Sequence, residues 1–108
     1  MRFAVTGRHL EMTDAMKQYA EEKAGRLSRF YDRVQSAEVV VEREGIQYRV
    51  EMVVSTDHKE AFVGQVHAGD YYEALDLVVD KVEGQLRKHK EKLRNRKHRA
   101  GSKDKAAE

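Results

Sequence analysis

Lys81, Lys88, Lys92 and Arg99 recur at spacings of seven, four and seven residues, which on an α-helix places four cations in one row. Past Leu86 the remaining faces of the same stretch fill with Arg87, Lys90, Arg94, Arg96 and Lys97. Such an array does electrostatic chemistry, because it offers point charges and guanidinium forks to a polyanion such as RNA, DNA or an anionic membrane. A second row, Lys23, Arg26, Arg29 and Arg33, falls within about 120° of arc at 100° per residue. Taken alone, it reads first as a solvated face paired with Glu21 and Glu22.

Bond-making chemistry has little to work with. The five histidines, His9, His58, His67, His89 and His98, stand on separate segments, none at a metal-ligand spacing from another. His67 and Asp70 could meet across a turn, where capping suits them better than catalysis. The chain has no phosphate-cradling glycine loop and no serine elbow, and no acidic pair stands out by its spacing. No catalytic residue, metal or cofactor is expected, and the chain does not read as an enzyme. The absence of cysteine excludes disulfides and fits a reducing compartment. No apolar run suits a signal peptide or a membrane span, so a soluble cytoplasmic protein is expected.

The net charge of +2 hides an asymmetry. Ten Lys or Arg against Glu91 and Asp104 make residues 87–105 net +8; with Glu108 negative and the total at +2, residues 1–86 carry −5. An acidic body thus carries a strongly basic end.

The elements that must position these charges follow from periodicity. Residues 2–8 alternate Phe3 and Val5 against Arg2, Ala4 and Thr6, a half-buried strand with Gly7 at its end or at a bulge. Thr13 is a good N-cap and Asp14 meets the helix dipole favourably; the helix they open buries Met16, Tyr19, Ala20, Leu27 and one of Phe30 or Tyr31. Ala37, Val39 and Val41, then Ile46, Tyr48, Val50, Met52 and Val54 after Glu44-Gly45, mark an antiparallel hairpin with one buried face. After a polar turn at 56–59, residues 61–67 form a fourth strand, in which Gly64 signals a bulge or a close backbone approach. Asp70, with Glu73 three residues on, caps a long helix over 71–96 whose stripe of Tyr71, Leu75, Val78, Val82, Leu86, His89 and Leu93 faces the core.

The order β-α-β-β-β-α, with each strand apolar on one side, predicts an α+β fold with two helices on one face of a four-stranded sheet, like a double-stranded-RNA-binding domain. The domain is expected to span 1–98, with a disordered basic and polar tail over 99–108. The last helix should outrun the sheet and overhang the body. No exposed aromatic cluster suggesting base stacking is expected.

The opening TGRHLEMTDAMKQYAEEKAGRL, followed by Phe30-Tyr31, and the run DYYEALDLVVDKVEGQLRKHK resemble the short ribosome hibernation promoting factors and ribosome-associated inhibitor A. Asp70, Tyr72, Ala74, Asp76, Asp80 and Lys81 carry the likeness in the last helix. The resemblance implies a protein that binds the small ribosomal subunit and its ribosomal RNA. It would sit in the channel for messenger RNA and for transfer RNA of the aminoacyl and peptidyl sites, stopping translation when growth slows. By position it implies RNA contacts from Arg8, Lys17, Lys23, Arg26, Arg29, Lys81, Lys88 and Lys92, with Arg87, Lys90 and Arg94 as additions. The family's second partner, a ribosome modulation factor that helps pair ribosomes into dimers, belongs to the same implication, as does a monomer off the ribosome. Where relatives often carry a basic residue this chain has Gly84, which removes a charge and costs about 1 kcal/mol of helix propensity against alanine. Two alternatives stay open: a general double-stranded RNA-binding module, and a dimerising protein using Leu86, His89 and Leu93 as a coiled-coil seam.

Overall fold

The computed structural model describes residues 1–57 and 60–98, with the side chains of 95–98 excepted. Its elements run β1 (Arg2–Arg8), α1 (Asp14–Phe30), β2 (Val34–Glu44), β3 (Gln47–Thr56), β4 (Ala61–Ala68) and α2 (Tyr71–His98), in the expected order. The strands lie side by side as β1-β2-β3-β4, and the sheet is mixed. β1 runs parallel to β2 across the α1 crossover, whereas β2-β3 and β3-β4 are antiparallel. His58, Lys59 and the tail expected over 99–108 lie outside the described residues, and with them Arg99 of the first cationic row.

Both helices start as their caps dictate. Thr13 Oγ1 accepts from the Met16 N–H at 3.1 Å, and Asp70 Oδ2 accepts from the Glu73 N–H at 3.0 Å, each satisfying a donor that the first turn leaves unpaired. α1 stops when Tyr31 turns extended while its N–H still donates to the Leu27 carbonyl. Arg33 therefore lies beyond the helix, where it pairs with Asp57 at 2.8 Å and leaves the expected α1 row.

The core lies between the helices and one face of the sheet. Leu75, Val78, Val79, Val82 and Leu86 of α2 are fully buried against Val39, Val41, Val50, Met52 and Val54. Each such aliphatic side chain stabilises by roughly 1.5–3 kcal/mol. On α1 the deepest positions are Ala20, Ala24 and Leu27, while Met16 and Tyr19 are only partly covered. The small Ala24, absent from the expected core, is fully buried on the same face of α1 as Ala20 and Leu27.

Two expectations for the strands are corrected. Gly7 neither ends β1 nor bulges; it pairs in register with Val41, and a Cβ there would stand 2.9 Å from the Leu10 carbonyl oxygen. Ile46 does not point inward. Gly45 and Ile46 form a two-residue loop between the paired Glu44 and Gln47, with Gly45 at φ +63°, and Ile46 is 88% exposed. Gly64 does mark a close approach, since its Cβ position lies 3.0 Å from Val82 Cγ2 and 3.3 Å from Val78 Cγ2. α2 crosses β4 there with its own valines packed on bare backbone.

At 1.5 Å per residue the 28 residues of α2 extend about 42 Å, against about 27 Å for the eight residues of β4. Leu86 is the last fully buried residue of the stripe. His89 still packs on Tyr31 and Phe62, with ring centroids 5.9 and 5.2 Å away. That packing occupies the seam which a coiled-coil partner would have needed.

Gly84 lies within this unbroken helix, and nothing stands within 4 Å of its Cβ position. Gly84→Ala is expected to raise stability by about 0.5–1 kcal/mol in urea unfolding, by reducing the entropy of the unfolded chain. Gly64→Ala, which drives a methyl into Val82 and Val78, is expected to lower it by about 1–3 kcal/mol in the same measurement.

Candidate nucleic-acid interface

α1 and α2 lie side by side and run in the same direction, as five hydrogen bonds taken in order show. Tyr71 Oη donates to the Met16 carbonyl at 2.8 Å, and Tyr19 Oη to Asp76 Oδ1 at 2.7 Å. Arg26 Nη2 donates to Asp80 Oδ1 at 2.8 Å and to Glu83 Oε1 at 2.7 Å. Lys90 Nζ donates to the Phe30 carbonyl at 3.0 Å. The seam thus sets basic residues of α1 against an acidic flank of α2, Asp76, Asp80 and Glu83, spaced four and three residues apart.

The acidic flank changes what the α1 row can do. Lys23 Nζ lies 3.6 Å from Asp76, and Arg26 is held between two carboxylates. Hydrogen bonding to Asp80 raises the Arg26 pKa further, and hydrogen bonding to Asp76 raises that of the Tyr19 hydroxyl. Among the positions expected to touch RNA, Lys23 and Arg26 are therefore partly exposed but paired with carboxylates of α2. The spacing of Asp76, Asp80 and Glu83 was visible in the sequence, but its partner was not.

On the opposite flank of α2, Lys81 Nζ donates to the Gln65 carbonyl at 3.2 Å and Gln85 Nε2 to the Val63 carbonyl at 2.8 Å. These side chains satisfy backbone acceptors along the outer edge of β4, a position that otherwise invites a foreign strand. Lys81 keeps its charge, yet it also holds helix to sheet.

The other expected positions lie open. Arg8, Lys17, Arg29, Lys88, Lys92 and Arg94 are exposed and form no ion pair among the described residues. Arg87 reaches Glu83 at 3.5 Å, an exposed pair four residues apart that contributes little. Unneutralised charge therefore concentrates on the last described turns of α2, where Glu91 is the one acid among Arg87, Lys88, Lys90, Lys92 and Arg94.

The open face of the sheet has the contrary character. Arg49 bridges Glu42 and Glu44 and lies 4.0 Å from Glu51, while His67 Nε2 lies 3.3 Å from Glu44 Oε1. His67 thus meets Glu44 across the sheet rather than Asp70, which caps α2. The hydrogen bond from Arg49, with help from the fields of His9 and Arg8, holds the Glu42 carboxyl below the usual glutamate range. Aromatic rings also gather where the sequence suggested none: Tyr72 is 37% exposed and stacks edge-on with Tyr19 and Tyr71, centroids 4.9 and 5.0 Å apart.

Among the described residues no cluster of three or more His, Asp or Glu could hold a metal ion, and no helix is long and apolar enough to cross a membrane.

A family model described as Sigma 54 modulation protein / S30EA ribosomal protein matches residues 3–94. The chain is 38% identical over 92 residues to the ribosome hibernation promoting factor of Azotobacter vinelandii, covering 85% of each. Among solved structures it is similar to the N-terminal domain of Thermus thermophilus Protein Y, with TM-score 0.75 and 33% identity over 82% of this chain and 99% of that one. A ribosomal subunit interface protein from Coxiella burnetii shares the fold, with TM-score 0.77 and 23% identity over 83% and 98% of the two chains. Neither neighbour is described as a double-stranded-RNA-binding domain, so that expected likeness is without support.

Removing the seam should separate stability from binding charge. Arg26→Gln is expected to cost about 1 kcal/mol of folding stability, because it takes from the largely covered Glu83 its nearer cation and leaves only Arg87 at 3.5 Å, whereas Lys88→Gln is expected to leave unfolding unchanged. On the sheet face, a carboxyl with a lowered pKa contributes stability above the ordinary glutamate pKa and loses it as pH falls through the depressed value. Glu42→Gln is therefore expected to flatten the acid limb of a melting temperature against pH profile, most visibly below about pH 4.5.

Proposed function

The chain belongs to the Sigma 54 modulation protein / S30EA ribosomal protein family, and on that premise we propose that it is a ribosome hibernation factor. In this reading it docks on the RNA of the small ribosomal subunit, fills the channel for messenger and transfer RNA, and stops translation while the particle is preserved. It acts as a binding protein in the cytoplasm, not as an enzyme.

The observation that carries the reading is the placement of unpaired charge. α2 is locked to the sheet by its fully buried stripe as far as Leu86, and beyond that anchor Lys88, Lys90, Lys92 and Arg94 stand against the one acid Glu91. A rigid rod so anchored can meet several closely spaced phosphates at once without losing its direction. Phosphate contacts of this kind position a protein and read no bases, which suits occupation of a channel whose walls are folded RNA. Arg29, exposed at the end of α1, and Lys17 and Arg8 add charge outside the α1–α2 seam.

Holding single ribosomes idle needs only this surface. Pairing them into dimers, with or without a separate modulation factor, is a further step that the same experiment reads.

Sucrose-gradient sedimentation with purified ribosomes tests the proposal. The protein is expected to travel with small subunits and intact ribosomes, and the triple reversal Arg29→Glu, Lys88→Glu, Lys92→Glu to remain at the top of the gradient. Lys81 is left intact because its bond to the Gln65 carbonyl would confound folding with binding. If about six phosphates are engaged, affinity should fall by roughly three orders of magnitude between 50 and 200 mM salt. A flat salt response, or unchanged sedimentation of the triple variant, rejects the docking surface. Equal affinity for an arbitrary RNA duplex and for small subunits at matched salt would point to a general duplex-binding module.

A further inference from the structure

At the C-terminal end of α1 a cleft of about 300 Å³ opens against α2, lined by Phe30, Arg87, Lys90, Glu91 and Arg94. The α2 residues stand at spacings of three, one and three, so a single helix face supplies three cations and one acid. Opposite them is an aromatic ring. Lys90 Nζ lies 4.7 Å from the Phe30 ring centroid and Arg87 Cζ lies 5.7 Å from it.

We propose that this cleft is a site for a single phosphorylated nucleoside, the base stacked on Phe30 and Arg87 and the phosphate held by Lys90 and Arg94. The charge alone would suit any anion. The ring is what narrows the class, because a phosphate gains nothing from an aromatic face, whereas a nucleobase stacks on Phe and on a guanidinium plane alike. Size narrows it further: about 300 Å³ is at the lower end of small-ligand pockets, enough for one nucleotide and not for a folded segment. The helix end also fits. Lys90 bonds the Phe30 carbonyl with its ammonium over the ring, so a base takes the ammonium's place on that face as Lys90 turns to the phosphate.

The nucleotide can be free in solution or splayed from an RNA strand, and the chemistry of recognition is the same. The site shares Arg87, Lys90 and Arg94 with the proposed docking surface and rests on that reading only for an RNA source. A titration of the isolated chain therefore fails or succeeds independently of the ribosome gradients.

The test is a heteronuclear NMR titration at low salt with AMP, GMP, ribose 5-phosphate and inorganic phosphate, followed by a trinucleotide of single-stranded RNA. The nucleotides are expected to shift the amides of Phe30, Arg87, Lys90 and Arg94 and to bind at least fivefold more tightly than ribose 5-phosphate. Phe30→Leu, which keeps an apolar side chain, should abolish that fivefold preference and leave phosphate binding alone. Arg94→Gln, on an exposed position, should weaken nucleotide and phosphate together at unchanged melting temperature. A trinucleotide that binds more tightly than AMP assigns the site to RNA, and the reverse order assigns it to free nucleotide; either supports the site. Equal binding of phosphate and nucleotides, a Phe30→Leu variant that folds and retains the preference, or an absence of shifts at these amides would overturn it.

Discussion

Arg26 lies between Asp80 and Glu83, and the seam it closes governs which charges this protein can present. Two parallel helices on one sheet face must meet along a flank, and here the flank of α1 is basic while that of α2 is acidic. Pairing couples Lys23 and Arg26 to three carboxylates of α2. The net effect on charge is small, but the effect on its distribution is large. The unpaired cations of α2 lie past the seam, with Lys17 and Arg29 of α1 outside it, instead of in two even rows.

That distribution is useful only because α2 is held in one direction. Its anchoring half has an apolar stripe fully buried as far as Leu86, backed by His89 against Tyr31 and Phe62. Gly64 lets the helix approach the sheet closely, and Lys81 and Gln85 fasten it to the β4 edge. The same two side chains cover an edge that would otherwise be open to strand addition. Gly84 leaves the helix unbroken and costs helix propensity rather than shape.

The two faces of the domain differ in how their charges are paired. The open sheet face carries Glu42, Glu44 and Glu51 around Arg49, and the helix layer carries the unpaired cations of α2.

The sequence by itself determined the element order, both helix caps, the core stripe of α2 and the overhang, because each is written in local spacing: apolar residues at three and four, alternation at two, a capping side chain at a fixed offset. It also located the basic end, since charge composition needs no fold to be counted. Only the tertiary structure decided which cations are free, because an ion pair such as Arg26 with Asp80 and Glu83 joins residues more than fifty positions apart. The pairing of Lys23 and the β4-edge role of Lys81 have the same origin, as does the cleft beside Phe30. Each depends on which element lies next to which, and the period of a single helix or strand carries no record of its neighbour.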